Sequence, residues 1–219
     1  MQPYFFPYIG YFQLIHAVDT YVNLDHVAFM KRSWMTRNSL RNGVRVGVRV
    51  WGASQNKRCS EVLVNFSNNY VNEFTTTLHH LYSKEQQYEQ IMQSIILPEF
   101  VEREVSISEF NFSIIKRICT YLNIQKTFID TSHVFNTGDL KKEHALKFIV
   151  KELGDNRYVN AIGGQSLYHK DDFLKDGIRL HFVNTSQLNL DNKYASILDL
   201  LFRYEKEHLQ EQVTRYELI

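Results

Sequence analysis

The sequence predicts an α/β protein: a mostly parallel sheet with helices on its faces, interrupted by a helical block at about residues 69–123. Three observations point there. Strand-like runs alternate with helical patterns in the opening third and again in the closing half. Apolar residues at three and four spacing dominate from Asn69 to about Leu122. With 219 residues, 44% hydrophobic and 22% charged, the chain has the composition of a globular protein with a substantial core, and one domain over 1–219 accommodates it.

The opening "MQPYFFPYIGYFQLI" holds six aromatics in fifteen residues and no charge before His16. Only Met1 to Phe6 precede Pro7, so a strand ahead of the turn is either very short or starts upstream of Met1. Pro7 and Gly10 suit a turn into a helix, since proline fixes φ and glycine permits a bend or the close approach of a ligand. "YFQLIHAVD" then places Phe12, Ile15 and Val18 on one side of a short helix, and "TYVNLD" reads as a strand ending at Asp25. Residues 26–38, "HVAFMKRSWMTRN", mix Lys31, Arg32 and Arg37 with Phe29, Met30, Trp34 and Met35 without periodicity, as a functional loop does. In "GVRVGVRVW" four valines alternate with Arg45, Gly47, Arg49 and Trp51, which predicts a strand with one buried face; "EVLVNF" supplies its partner. Past the helical block come the strand "TFID", the helix "DLKKEHALKFIVKELG", the strand "RYVNAI", a glycine turn, the helical "SLYHKDDFLKDG", the strand "IRLHFVN" and a last helix, "SILDLLFRYEKEHLQEQV".

Composition narrows the function classes. The opening segment is too short to span a bilayer and lacks the basic start and small-residue cleavage site of an export signal, so a soluble, cytoplasmic protein without a membrane span is expected. Lys and Arg total 25 against 24 Asp and Glu, leaving +1 and no global field for nucleic acid. Cys59 and Cys119 lack metal-type spacing and read as buried reduced thiols; the nine histidines are scattered and suggest no metal site. Nothing in the sequence names a cofactor, and a homo-oligomer is left open.

In an open α/β sheet, ligands bind beyond the carboxyl ends of the strands, where loops converge. Three loops qualify: "PYFFPYIGY", "LDHVAFMKRSWMTRN" and "NAIGGQSLY". The first offers Gln2, Tyr4, Tyr8, Gly10 and Tyr11, tyrosine combining a flat apolar face with a hydroxyl. The second offers Asp25 as a carboxylate to orient a sugar hydroxyl or accept a proton, with a turn cap as its plainer role. It also offers Lys31, Arg37 and Asn38 as donors to a phosphate or carboxylate, so Asp25 and Arg37 are expected to meet at one cavity. In the third, Gly163 and Gly164 either turn N–H groups toward an anion or simply make a tight turn. Ser196 and Asp199 fit a helix-capping pattern. "PYIGY" lies where nucleotidyltransferase-like α/β proteins carry proline, histidine, glycine and histidine around a nucleotide's phosphates, with Tyr8 and Tyr11 in the histidine places. Tyrosine carries no positive charge at neutral pH, so that alternative needs Lys31, Arg32 or Arg37 to stabilise charge.

Taken together, "QPYFFPYIGYFQLI", "VDTYVNLDHVAFMKRSWMTRNSL", "YVNAIGGQSLYHKDDF" and "ASILDLLF" resemble the WbqC-like family, in order and across nearly the whole chain. Most relatives begin with a fuller first strand, and "RYEKE" stands where they show a polar residue and glycine. The resemblance implies a bacterial protein of surface polysaccharide biosynthesis, such as O-antigen or lipopolysaccharide, where nucleotide-linked sugars are made and decorated. It assigns no reaction. The resulting expectation is a transferase acting on a nucleotide-linked sugar, by acyl or aminoacyl transfer to an amino sugar, with Asp25 and Lys31 as catalytic candidates. The alternative is a non-catalytic nucleotide-sugar-binding or scaffolding protein of the same pathway.

Overall fold

The computed structural model describes residues 1–137, 140 and 142–219. Helix α1 (Ile9–His16) leads into β1 (Thr20–Val22), β2 (Arg37–Ser39), β3 (Arg45–Gly47), β4 (Val50–Trp51) and β5 (Leu63–Val64). The helical block comprises α2 (Asn68–Tyr82), α3 (Tyr88–Ile91), which continues into a π turn at Met92–Ile96, and α4 (Ile107–Tyr121). Then follow β6 (Thr127–Ile129), α5 (Lys142–Glu152), β7 (Arg157–Ala161), α6 (Lys170–Leu174), β8 (Arg179–Asn184), α7 (Ile197–Arg203), α8 (Lys206–Thr214) and β9 (Glu217–Leu218). The helix predicted from residue 139 begins, within the described residues, at Lys142; positions 138, 139 and 141 lie outside them.

The mixed α/β class holds, but the single mostly parallel sheet does not. Among the described residues the strands fall into four small sheets: parallel β1-β6, antiparallel β2-β3, antiparallel β4-β5, and β7-β8-β9, in which β7 and β8 are parallel and β9 runs opposite. Part of the reason is local. Only Leu40–Val44 separates β2 from β3, with Asn42 and Gly43 at φ 58 and 72, and so short a connection can join only antiparallel strands. The other part is a gap. Thr20–Val22 and Arg157–Val159 line opposite walls of a cavity of about 130 Å³ instead of pairing. At one end of this gap Arg157 reaches Asp19 at 3.2 Å.

Behind the gap lies α1, packed against β7, β8 and α8. Ile9 to Ile15 are all buried, so this is a core helix rather than an amphipathic surface one. Its one interior amide, Gln13, donates to the carbonyls of Gln212 and Arg215 at 2.9 and 2.7 Å, tying α1 to the end of α8. α8 reaches α1 because the predicted last helix breaks after Arg203, where Tyr204 is extended and its hydroxyl donates to Asp191 at 3.0 Å. Ser196 caps α7, as its sequence suggested. Asp199, however, closes no capping box: it is buried and receives the Tyr82 hydroxyl, the Arg41 N–H and the Arg203 guanidinium. A capping box does close at α4, between Ser106 and Glu109.

One large apolar cluster runs from the opening segment through α4 to α8, and a small one gathers Phe173, Ile178 and Phe182 beneath α5. Both cysteines are free and buried, and burial pushes the Cys59 and Cys119 thiols up to about 11 and about 12. Among the described residues no helix is long and apolar enough to cross a membrane.

Candidate functional site

Residues that leave β1, β6 and β7 at their carboxyl ends meet at one place. Beyond the narrow gap, the walls widen into a cavity of about 480 Å³, inside the range of about 300–1,000 Å³ usual for small-molecule sites. The opening segment contributes Gln2 and Tyr4, the β1 loop Leu24, His26 and Val27, and the β7 loop Asn160, Gly163, Gly164 and Tyr168. Among the described residues, its lining holds no Lys, Arg, Asp or Glu side chain. What remains is aromatic rings, two amides, one histidine and aliphatic floor, a set suited to a neutral polar ligand with apolar faces.

His26 is the side chain among the described residues of that lining with an acid–base range near neutral pH; the Met1 amino group, also in the lining, is held down to about 5 by burial and donates to Val22 O at 2.7 Å. Its Nδ1 lies 2.6 Å from the Ser132 hydroxyl. That hydroxyl has a single proton and donates it to Asp25 Oδ1 at 2.7 Å. It must therefore accept from Nδ1–H, which leaves Nε2 bare as a proton acceptor. Nε2 has no hydrogen-bond partner among the described residues. Burial holds the His26 pKa below its ordinary 6.5, against the opposing pull of Asp25, so the ring is neutral at pH 7.

Asp25 anchors this chain of bonds. Both carboxylate oxygens are taken, Oδ1 by the N–H and hydroxyl of Ser132 at 2.9 and 2.7 Å, Oδ2 by the Thr131 hydroxyl at 2.6 Å. Burial pushes its pKa up, yet the hydrogen bonds from Ser132 and Thr131 more than offset that and hold the carboxyl below the usual range. His133, exposed, lies 3.8 Å from Oδ2. Asp25 is thus a poor proton acceptor and a positioning group, tying the loops after β1 and β6 together. No three His, Cys, Asp or Glu side chains among the described residues are grouped to hold a metal ion.

The three predicted loops do converge, but only Gln2, Tyr4, Gly163 and Gly164 of the predicted residues line the cavity. Tyr4 is half-buried and donates to Gln2 Oε1 at 2.9 Å. Tyr11 is buried, its hydroxyl donating to Gln2 O at 2.7 Å and accepting from Tyr21, so it is core. Tyr8 is half-buried on another side, with its ring against Tyr194. Neither ring stands where a phosphate cradle would need it. Gly10 is demanded by packing: a Cβ there would sit 2.3 Å from the Tyr8 ring and 2.9 Å from Thr185. Asn38 is no anion ligand either, because its buried amide donates to Phe5 O and Phe6 O at 3.1 and 2.7 Å. Lys31 and Arg37 are exposed away from this lining, Arg37 on β2 opposite Gly47. Asp25 and Arg37 do not share the cavity.

The sequence reading missed His26, Ser132, Asn160 and Tyr168. His26 directly follows the singled-out Asp25, and Ser132 lies two residues after the strand "TFID", so loop position alone was available as a signal. Gly164 is also explained from here, since a Cβ on it would meet Asn160 Nδ2 at 2.7 Å.

These titrating groups set an expected pH response. Burial, aided by nearby cations at His16 and His181, lowers the folded-state pKa of His16, His26 and His181 below 6.5. The unfolded chain then binds more protons as pH falls through 6.5, so stability is lost on acidification from that point. Asp25, lowered below 3.8, adds stability above that value that is lost as pH falls through its folded pKa. The melting midpoint should fall steadily between about pH 7 and 4. A flat or rising midpoint would contradict these assignments.

The comparisons agree with the geometry in extent. A relative from Mycobacterium tuberculosis (strain ATCC 25618 / H37Rv), "Uncharacterized protein Rv1507c", is 26% identical over 220 residues, covering 94% of this chain and 93% of that one. No solved structure matches significantly. The model of the WbqC-like protein family matches residues 2–211, from the cavity-lining Gln2 into α8, and the chain therefore belongs to the WbqC-like protein family.

Proposed function

We propose that the cavity holds the sugar of a nucleotide-linked sugar, and that the protein is a transferase of bacterial surface polysaccharide biosynthesis of the O-antigen type, moving an acyl or aminoacyl group onto an amino sugar. The observation that carries this reading is the lining itself: uncharged, polar and aromatic, with one bare histidine nitrogen. Tyr4 and Tyr168 offer faces to a pyranose ring, and Gln2 and Asn160 offer amides to its hydroxyls. The phosphates would lie at the Gly163 rim, which is exposed and has nothing within 4 Å of where a side chain would start. In the transfer, the sugar's amine attacks the acyl carbon and the new C–N bond forms. His26 Nε2 takes the amine's proton, and the donor's leaving group departs with its bonding electrons.

A second reading, binding or scaffolding without turnover, is favoured by the saturation of Asp25 and by the lining, which among the described residues holds no cysteine or lysine to form a covalent intermediate. Thermal melts against nucleotide sugars, free nucleotides and free sugars test both. A ligand at about 100 Kd should stabilise the fold by about 2.7 kcal/mol, raising the midpoint by roughly 5–10 °C. Nucleotide sugars should shift it more than free nucleotides. A shift without turnover would leave the binding reading, and no shift with any of them would remove both.

A further inference from the structure

The net charge of +1 conceals a strong asymmetry. Between His26 and Ser60 the chain carries eight Lys and Arg residues and no Asp or Glu, leaving 17 cations against 24 anions, a net of −7, in the remainder. Two of the eight are paired, Arg41 with Glu85 and Arg49 with Glu73. The other six are all exposed and form no ion pair with a described residue.

The same segment holds both tryptophans of the chain, and both face water: Trp34 is 59% and Trp51 64% exposed, with Met30 at 43%. Large apolar side chains left this open on a folded protein call for an explanation. The backbone segments that carry them adjoin one another. Phe29 N–H donates to Lys57 O at 2.8 Å and Ala28 bridges Arg58, which sets the turn at Met30–Met35 beside the loop at 52–57. Val48 N–H donates to Thr36 O at 2.8 Å, so the strand running on to Trp51 passes the same turn. Lys57 folds over Gly52, its Nζ 2.9 Å from where a Cβ would be, next to Trp51.

We propose that Met30, Trp34 and Trp51, flanked by Lys31, Arg32 and Lys57, dock the protein on an anionic phospholipid surface. Indole rings settle at headgroup depth, a thioether side chain enters the acyl boundary, and cations beside them meet lipid phosphates. A nucleic acid could use the cations and stack on the indoles, but Met30 would offer a base nothing. The proposal is independent of what the cavity binds.

Because both tryptophans lie in the patch, intrinsic fluorescence reads docking directly. Vesicles of phosphatidylcholine and phosphatidylglycerol should co-sediment with the full chain at low salt, shift its emission to the blue, and quench it when the lipid tails are brominated. Vesicles of phosphatidylcholine alone should do none of this. The Arg32→Glu/Lys57→Glu variant should bind at least about tenfold more weakly. A thermal melt checks that this variant is folded, and the brominated-lipid result on the unaltered chain stands whether or not it is. Absence of binding to the anionic vesicles, or binding with unshifted emission, overturns the proposal. An oligonucleotide that quenches the same emission where vesicles do not bind reassigns the surface to nucleic acid and overturns it equally.

Discussion

If the protein is the proposed transferase, replacing His26 with alanine is expected to lower kcat by about 10²–10⁴-fold while changing affinity for the proposed nucleotide-linked sugar little, because the lost group acts on a proton in the transition state and not on the bound sugar. The expectation rests on the proton order along Asp25, Ser132 and His26, which leaves Nε2 free to accept. It carries a pH signature. The ring's pKa is lowered by burial, so the rate of the unaltered protein should climb with pH through a midpoint below 6.5 and then level, and the variant should lose that limb. His26→Gln would keep a polar group facing Ser132 but cannot take up the proton, so it should be as slow as alanine. Single-turnover rates across pH, beside calorimetric binding of the same nucleotide sugar, decide the matter. A variant that keeps its rate would place the base elsewhere and leave the cavity as a binding site only.

Asn38→Asp is expected to destabilise the protein by about 3–5 kcal/mol, lowering the melting midpoint by roughly 6–20 °C. The Asn38 amide serves the carbonyls of Phe5 and Phe6 inside the core, and Phe6 is held there at φ 44, a left-handed conformation unusual for a bulky side chain. A carboxylate would face two carbonyl oxygens, unpaired and out of water. Asn38→Ala removes the donors without adding charge and should cost less, about 2–3 kcal/mol. If Asn38 instead bound an anionic ligand, as its place after Arg37 suggested, both variants would melt normally and lose affinity. Urea unfolding of the two variants separates these outcomes.

Phe6 illustrates why the opening segment was only half legible. Its aromatic density correctly marked a segment of special purpose, yet whether a tyrosine lines a cavity or fills the core is set by partners far away in sequence. Tyr11 is buried because its hydroxyl is satisfied inside, donating to Gln2 O and accepting from Tyr21, while Tyr4, seven residues earlier, lines the cavity with Gln2. Lys31, Arg37 and Asn38 looked like a phosphate site because they are close in sequence, but in an extended segment alternate residues face opposite ways, so Asn38 is buried and Arg37 exposed. The helices were readable where spacing decided them, as in α2 and α4, which occur within the predicted block. The sheet was not, because such short strands carry too little pattern to say which neighbour each will choose, or that β1 and β7 would not choose each other.

That refusal shapes how the molecule moves. Among the described residues no backbone ladder ties the β1-β6 pair to the β7-β8-β9 sheet, and side chains together with the helix behind hold the two in place across the front. It is the seam along which the protein can breathe while breaking fewest backbone hydrogen bonds. The larger cavity straddles it, with Gln2 and His26 on one bank and Asn160 and Gly164 on the other. An occupant gripping both banks would therefore act as a rivet between two plates that share no backbone ladder among the described residues, and any entropy lost in stiffening them is subtracted from its affinity.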